Sequence, residues 1–152
     1  MPLFGAKDPA EEATAQALVN WANSVPAADL AADLMAAFGP DGRKGGNQLG
    51  KGDLIEWLFR EYPNPGRYAK PSKGYIEQLD RPIREAVQLL EHAELVYVSE
   101  VYERNSVAGG DLIHTGNVVV PHARWSVSRL GSACLANGKA NVRQRIKDRT
   151  GL

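Results

Sequence analysis

Apolar residues in the first third of the chain recur every three or four positions, the spacing that places them on one face of a helix. Three helical segments are predicted in this way, over 8–25, 26–38 and 53–62. Asp53 and Glu56 fit a capping box at the start of the third helix. The intervening stretch, "GPDGRKGGNQLGKG" at 39–52, predicts a glycine-rich loop.

The helical spacing continues in the middle of the chain through Ile76, Leu79, Ile83, Val87 and Leu90. Pro82 interrupts the pattern, because proline has no N–H to bond the carbonyl oxygen of Gln78. We therefore predict a short helix over 73–79 and a longer helix over 81–93, with a bend between them.

After residue 94 the sequence becomes rich in β-branched and aromatic residues, which favours strands. Two strands are predicted, over 95–103 and 117–128, with Pro121 at an edge or a bulge. Ser128 fits the cap of a following helix that ends at Asn137-Gly138. The order of elements predicts a mainly helical α+β protein.

Length and composition are those of an ordinary globular domain: 152 residues, with 18 cations balancing 18 acids. No apolar run is long enough to cross a membrane, so no membrane association is expected. The acidic N-terminus does not resemble a signal peptide, and the single cysteine, Cys134, excludes an internal disulfide. These features predict a cytoplasmic location.

Charge is unevenly distributed along this neutral chain. Residues 1–38 carry one cation against five acids, whereas residues 99–152 carry eight cations against four acids. The stretch "YPNPGRYAKPSKGY", residues 62–75, contains three cations and three tyrosines but no acid. We call it the basic island. Such a composition suits either a solvated linker or a surface that contacts phosphate.

Three patterns in the sequence approach a catalytic or metal site without completing it. The spacing of Gly45, Gly50 and Lys51 approaches a phosphate loop, but the serine or threonine that binds magnesium is replaced by glycine. Asp111 with the two nearby histidines, His114 and His122, has no fixed register for a metal. Cys134 recurs with Leu130 on a helix face and is predicted to be a buried apolar residue. No enzyme, metal or cofactor is therefore expected.

The segment "IREAVQLLEHAELVYV" resembles the recognition helix and first wing strand of winged helix-turn-helix proteins, and "RWSVSRLGSACL" is similar to their second wing strand and next helix. Leu90-Glu91 and Leu95-Val96 fit the pattern, whereas the glycine that usually precedes the apolar pair is Glu94. The resemblance covers about residues 50–136. It implies a winged helix with a two-stranded wing, extended here by N- and C-terminal helices.

The resemblance further implies a DNA-binding face around the turn and the first half of the recognition helix, predicted at 81–93. Side chains able to read base edges are Gln78, Arg81, Arg84 and Gln88. Candidate phosphate contacts are Arg67, Tyr68, Lys70, Ser72, Lys73 and Tyr75. Arg104 and Arg124 flank the wing strands and are candidates for wing contacts. The alternative is a solvated helix face whose acids pair with these cations.

These features predict a sequence-specific protein that binds double-stranded DNA, most simply a transcriptional regulator. The alternative is a winged-helix module that binds an acidic protein partner through the basic island. Three segments are predicted: N-terminal helices for dimerisation (1–38), a winged helix domain (39–136) and a basic C-terminal helix (137–152). Opposite net charges and thin apolar stripes at the two ends predict a homodimer. The competing predictions are that both ends pack on their own domain, or that the basic tail lies along DNA.

Overall fold

The computed structural model describes residues 9–40, 42, 48–61, 73–103 and 121–152. The helices in these ranges are α1 (Pro9–Ser24), α2 (Ala27–Met35), α3 (Lys51–Glu61), α4 (Lys73–His92), α5 (Arg129–Ala136) and α6 (Lys139–Thr150). The strands are β1 (Leu49–Gly50), β2 (Val96–Glu103) and β3 (Pro121–Val127). The prediction of a mainly helical α+β protein is therefore confirmed. No helix within these ranges is both long and apolar enough to cross a bilayer.

The strands form one antiparallel sheet in the order β1-β3-β2, so β3 lies in the centre. Leu49 pairs with Trp125 in this sheet, which makes the prediction of a loop over the whole of 39–52 wrong at its C-terminal end. Pro121 is the first residue of β3, a position where a strand tolerates proline. The irregularity in the ladder lies at Ser99 instead, between Val98 and Glu100.

Helix α3 begins two residues before the predicted cap. The carboxylate of Asp53 accepts a hydrogen bond from the backbone N–H of Gly50 at 2.9 Å. Asp53 thus fills the third helical position of a capping box, reaching back to the residue that precedes the helix. The helix can begin directly after β1 because this bond satisfies a backbone donor at the junction.

Helix α4 is continuous through Pro82, so the prediction of two helices separated at residue 80 is wrong. Pro82 does leave the carbonyl oxygen of Gln78 without its usual partner within the helix. The side-chain amide of Asn23, at the end of α1, donates a hydrogen bond to that oxygen at 3.2 Å. Pro82 itself is buried. A contact from another helix therefore compensates for the missing N–H.

Helix α4 is the centre of the core, with α1, α2, α3 and α6 packed against it. Its buried side chains, spaced at three and four, are Leu79, Ile83, Ala86, Val87 and Leu90. Leu18 of α1, Phe59 of α3 and Ile146 of α6 belong to the same apolar cluster. Burying each such side chain contributes about 1.5–3 kcal/mol. One core thus draws on all three of the predicted segments, 1–38, 39–136 and 137–152.

The corner between α4 and β2 is a compact helix ending. The N–H of Leu95 bonds to the carbonyl of Leu90 at 3.0 Å, and that of Glu94 to Glu91 at 2.9 Å. These two bonds form a Schellman motif. Glu94 has a φ of 63°, the left-handed conformation that favours glycine. The glycine expected from the winged-helix resemblance is thus replaced by glutamate at a position whose backbone suits glycine.

Helix α5 packs closely against that corner. Ser128 caps α5, because its hydroxyl oxygen accepts a hydrogen bond from the N–H of Gly131 at 2.9 Å, as predicted. The N–H of Ser128 donates to the carbonyl of Leu95 at 2.9 Å. Gly131 is buried against the same backbone. The end of β3 and the start of α5 are therefore fixed to the end of α4.

Candidate nucleic-acid interface

The exposed face of α4 carries every residue predicted to read bases: Gln78, Arg81, Arg84 and Gln88 are all exposed. The opposite face is buried, since Ile83, Val87 and Leu90 are at most 1% accessible. A single helix therefore presents two amides and two guanidinium groups, which have the hydrogen-bonding groups suited to adenine and guanine. Their contact with DNA remains a prediction.

Both arginines of this face are paired with acids of the same helix. The Nε atom of Arg81 lies 2.9 Å from a carboxylate oxygen of Glu85, and that of Arg84 lies 2.9 Å from Asp80. Their side chains are nevertheless 88% and 67% exposed. A pair exposed on both sides, such as Arg81–Glu85, contributes about 0–1 kcal/mol, so a ligand can replace Glu85 at little cost. The alternative, in which Glu85 and Glu91 pair with cations of this face, therefore holds for Glu85 without blocking the surface, whereas Glu91 accepts a hydrogen bond from the indole N–H of Trp125.

Asp80 also ties α4 to α3. One of its carboxylate oxygens accepts a hydrogen bond from the ammonium group of Lys51, and the other pairs with Arg84. The bond from Lys51 lowers the pKa of Asp80 below its usual 3.8, opposed by burial and reinforced by Arg84. Asp80 is therefore a carboxylate at neutral pH, placed between cations of two helices. The spacing of Asp80 and Arg84 signals their i,i+4 pair, but nothing local in the sequence signals Lys51.

Two hydrogen bonds restrain Gln78, one within α4 and one from α1. Its side-chain amide donates to the carbonyl of Gly74 at 3.3 Å, and its own carbonyl accepts from Asn23. The side-chain bond is long and exposed, so it is readily exchanged for a base. The backbone bond anchors this turn of α4 to α1.

Only two of the candidate phosphate contacts lie in the described ranges. Lys73 is exposed at the first position of α4. Tyr75 is half-buried, and its ring packs against Phe59 with 6.3 Å between the ring centroids. Tyr75 thus helps to hold α4 on α3, a role that its position in the basic island did not predict. The other candidates fall outside the described residues: Arg67, Tyr68, Lys70 and Ser72.

The predicted wing contacts are placed differently from expectation. Arg124 lies within β3, half-buried and opposite Gly50 on one side and Glu100 on the other. It therefore occupies the centre of the sheet, whereas the sequence placed it as a flanking residue. Arg104 lies outside the described residues, as does the predicted loop 104–116.

The residues of the possible phosphate loop and metal site, together with Cys134, are placed as follows. Lys51, the lysine of the sequence that approaches a phosphate loop, donates a hydrogen bond to Asp80. Cys134 is buried, as predicted. Asp111 and His114 fall outside the described residues, and the part of the chain that is described contains no cluster of acids, histidines and cysteines able to hold a metal ion.

The basic C-terminal helix faces acids of its own chain. Lys139 pairs with Asp33, and Arg143 pairs with Asp29 at 2.9 Å. Arg149 pairs with Glu94 at the end of α4. The opposite charges of the two termini therefore attract each other within one molecule. From this complementarity the sequence predicts contacts between two copies, with packing of both ends on their own domain as the alternative, and the pairs within one chain agree with the alternative.

Neither the protein-family models, nor the curated proteins, nor the solved structures include a match to the chain. The geometry of α4 and the chemistry of its exposed face are therefore the features that indicate a function.

Proposed function

We propose that the protein binds double-stranded DNA with sequence preference, as a transcriptional regulator does, and that the exposed face of α4 enters the major groove. The observation that carries the proposal is the display of Gln78, Arg81, Arg84 and Gln88 on one exposed helix face. Supporting it is the succession of α3, α4 and the β2–β3 hairpin, which is the order implied by the winged-helix resemblance. A recognition helix of this kind reads bases from a groove about 12 Å wide.

The continuity of α4 changes which residues lead into the groove. Because the helix begins at Lys73, the proposed recognition helix is 73–92 rather than 81–93. Lys73, Gln78 and Arg81 belong to its N-terminal half, and Arg84 follows one turn later. The exposed N–H groups of the first turn favour a phosphate beside Lys73. Residues 62–72 of the basic island, which precede this turn in sequence, supply the remaining phosphate contacts of the proposal.

Replacing Arg81 or Arg84 by alanine is expected to weaken binding to the preferred sequence more than binding to random duplex. Loss of one bidentate base contact costs about 1–3 kcal/mol, or roughly 5- to 150-fold in affinity. Lys73→Ala, as a phosphate contact, should instead weaken both DNAs alike and reduce the salt slope by about one unit. Titration by fluorescence anisotropy over a salt series measures all three variants.

Arg129→Ala is the matched control, since Arg129 is an exposed arginine on α5, away from this face. It should leave both affinities unchanged. Equal losses on preferred and random DNA would make Arg81 and Arg84 phosphate contacts. No loss in either variant would contradict the assignment of α4 as the recognition helix.

We also propose that the protein acts as a homodimer, since reading two half-sites one helical turn apart requires two recognition helices about 34–36 Å apart. The apolar stripes at the two ends of the chain do not support the dimer interface predicted from them, because Leu18, Val142 and Ile146 are buried within one chain. Sedimentation equilibrium is expected to show a dimer without DNA, and two protomers per duplex when a palindromic duplex is added. One protomer per duplex at saturation would contradict the dimer.

The binding of an acidic protein partner remains the second candidate. The basic island, with three cations and no acid, would bind such a partner, whereas α4 as a whole carries three cations (Lys73, Arg81 and Arg84) against four acids (Glu77, Asp80, Glu85 and Glu91). A helix with this balance attracts polyanions weakly overall. The anisotropy titration separates the two functions: a DNA-binding protein loses affinity steeply with salt, whereas a protein that binds only an acidic partner shows no binding to duplex.

A further inference from the structure

The two arginines on the exposed face of α4 are held with very different firmness. Each bonds through Nε to an acid at i±4 on α4, at 2.9 Å in both cases. The acid beside Arg84 is Asp80, which also accepts a hydrogen bond from Lys51 at the start of α3. The acid beside Arg81 is Glu85, whose bonds within the described ranges stay on α4.

Exposure follows the same division. The side chains of Lys51 and Asp80 are 34% and 35% exposed, and Arg84 is 67% exposed. Glu85 and Arg81, at 50% and 88%, extend further into solvent. Groups on two helices thus restrain Asp80. Glu85 bonds only to its own helix within the described ranges, so its side chain can change rotamer more easily.

We propose that Asp80, anchored by Lys51, is a positioning residue that orders the Arg84 guanidinium for reading one base pair. The inference depends on the proposed DNA-binding function and adds to it the origin of sequence discrimination. An arginine side chain that is free in solution loses rotamer entropy when DNA fixes it. The bond to Asp80 imposes that order before DNA arrives. Arg84 is therefore pre-organised, and Arg81 is not.

The bond geometry leaves the reading edge of Arg84 available. Asp80 engages Nε, so the two terminal nitrogens of the guanidinium can still donate to O6 and N7 of a guanine. Asp80 itself cannot follow the DNA away, because Lys51 holds its other oxygen. Lys51 makes no predicted base contact itself. It thus acts on sequence preference indirectly, by holding Asp80, which in turn orders Arg84.

A rival effect has the opposite sign. If Asp80 only competes with DNA for Arg84, removing its charge strengthens binding to every duplex and leaves discrimination unchanged. Discrimination, the ratio of affinities for the preferred duplex and its single base-pair variants, is therefore the quantity to measure. A residue that merely maintained the fold would lower the amount of active protein without changing this ratio.

The decisive comparison is between Asp80→Asn and Glu85→Gln. Both replace a carboxylate by an amide of similar size, both remove one negative charge from α4, and both free an arginine at i±4. The preferred duplex is first selected with the wild-type protein from a random library, and each of its base pairs is then substituted. Asp80→Asn is expected to lose about fivefold or more of the discrimination at one guanine–cytosine pair. Glu85→Gln should retain it within about twofold at that pair.

Three further variants keep the test decisive if urea denaturation shows that Asp80→Asn folds poorly. Arg84→Lys keeps the charge and removes the bidentate fork, so discrimination should be lost at the same pair. Lys51→Met should reduce it there, and Lys51→Arg should restore it. Loss at a different pair, equal effects of Asp80→Asn and Glu85→Gln, or unchanged discrimination in Lys51→Met would each overturn the inference while leaving DNA binding intact. Absence of binding by the wild-type protein would instead overturn the proposed function.

Discussion

Replacing Gly131 by alanine is expected to lower the free energy of unfolding by about 3 kcal/mol or more, at the upper end of the cost of overpacking. A β-carbon at this position would lie 2.0 Å from the carbonyl oxygen of Leu95 and 2.8 Å from a methyl group of Val127. The nearest atom belongs to backbone, which the Schellman motif and Ser128 hold in place. The corner cannot yield to the methyl group without breaking these bonds.

Urea denaturation followed by circular dichroism measures this cost. Gly52→Ala is the matched control, because a β-carbon there meets nothing within 4 Å and the position lies in the first turn of α3. Alanine at Gly52 should be neutral or stabilising by up to about 1 kcal/mol. Similar unfolding midpoints for the two variants would show that α5 does not approach the α4–β2 corner closely.

Replacing Ile146 by alanine is expected to cost about 2–4 kcal/mol, the usual range for emptying a buried aliphatic site. Ile146 is fully buried in the apolar core, and α6 offers only Val142 as a second buried residue. The loss therefore removes a large share of the contacts that attach α6. Lys147→Ala, which changes the exposed neighbouring residue, should alter stability by less than about 0.5 kcal/mol.

Thermal and urea unfolding of the two α6 variants, at several protein concentrations, distinguish the two sites at which Ile146 could be buried. Burial within one chain predicts a cost that does not depend on concentration. A cost that disappears on dilution would assign Ile146 to a contact between copies, as the sequence first suggested. A cost below about 0.5 kcal/mol would show that α6 is not docked at all.

Local periodicity predicted most of the fold. The buried faces of α1, α2, α3 and α6 follow from spacings of three and four, and β2 and β3 follow from their β-branched and aromatic residues. Strand β1 escaped prediction because it has only two residues, and because its partner Trp125 lies on a distant strand. The continuity of α4 escaped for a similar reason, since the bond from Asn23 spans 55 positions.

The candidate site was predictable to the same extent. The exposure of Arg81, Arg84 and the two glutamines follows from their position opposite the apolar stripe of α4. The anchoring of Asp80 by Lys51 does not follow, because it depends on how α3 crosses α4. The pairing of Arg143 with Asp29 spans 114 positions, and charge complementarity over such a distance does not distinguish one chain from two.

The packing of α1 on α4, which includes the bond from Asn23 to Gln78, determines which part of this chain could be moved into another protein as a DNA-binding unit. A graft of the predicted winged helix domain, 39–136, would carry α4 with the carbonyl of Gln78 deprived of its donor. That bond is exposed, so water can take the place of the amide, but the graft would also remove Leu18 and Val19 of α1 from the apolar cluster that packs on α4. The smallest portable unit for the proposed DNA-reading helix therefore includes α1, so that engineered chimaeras should be joined before Pro9.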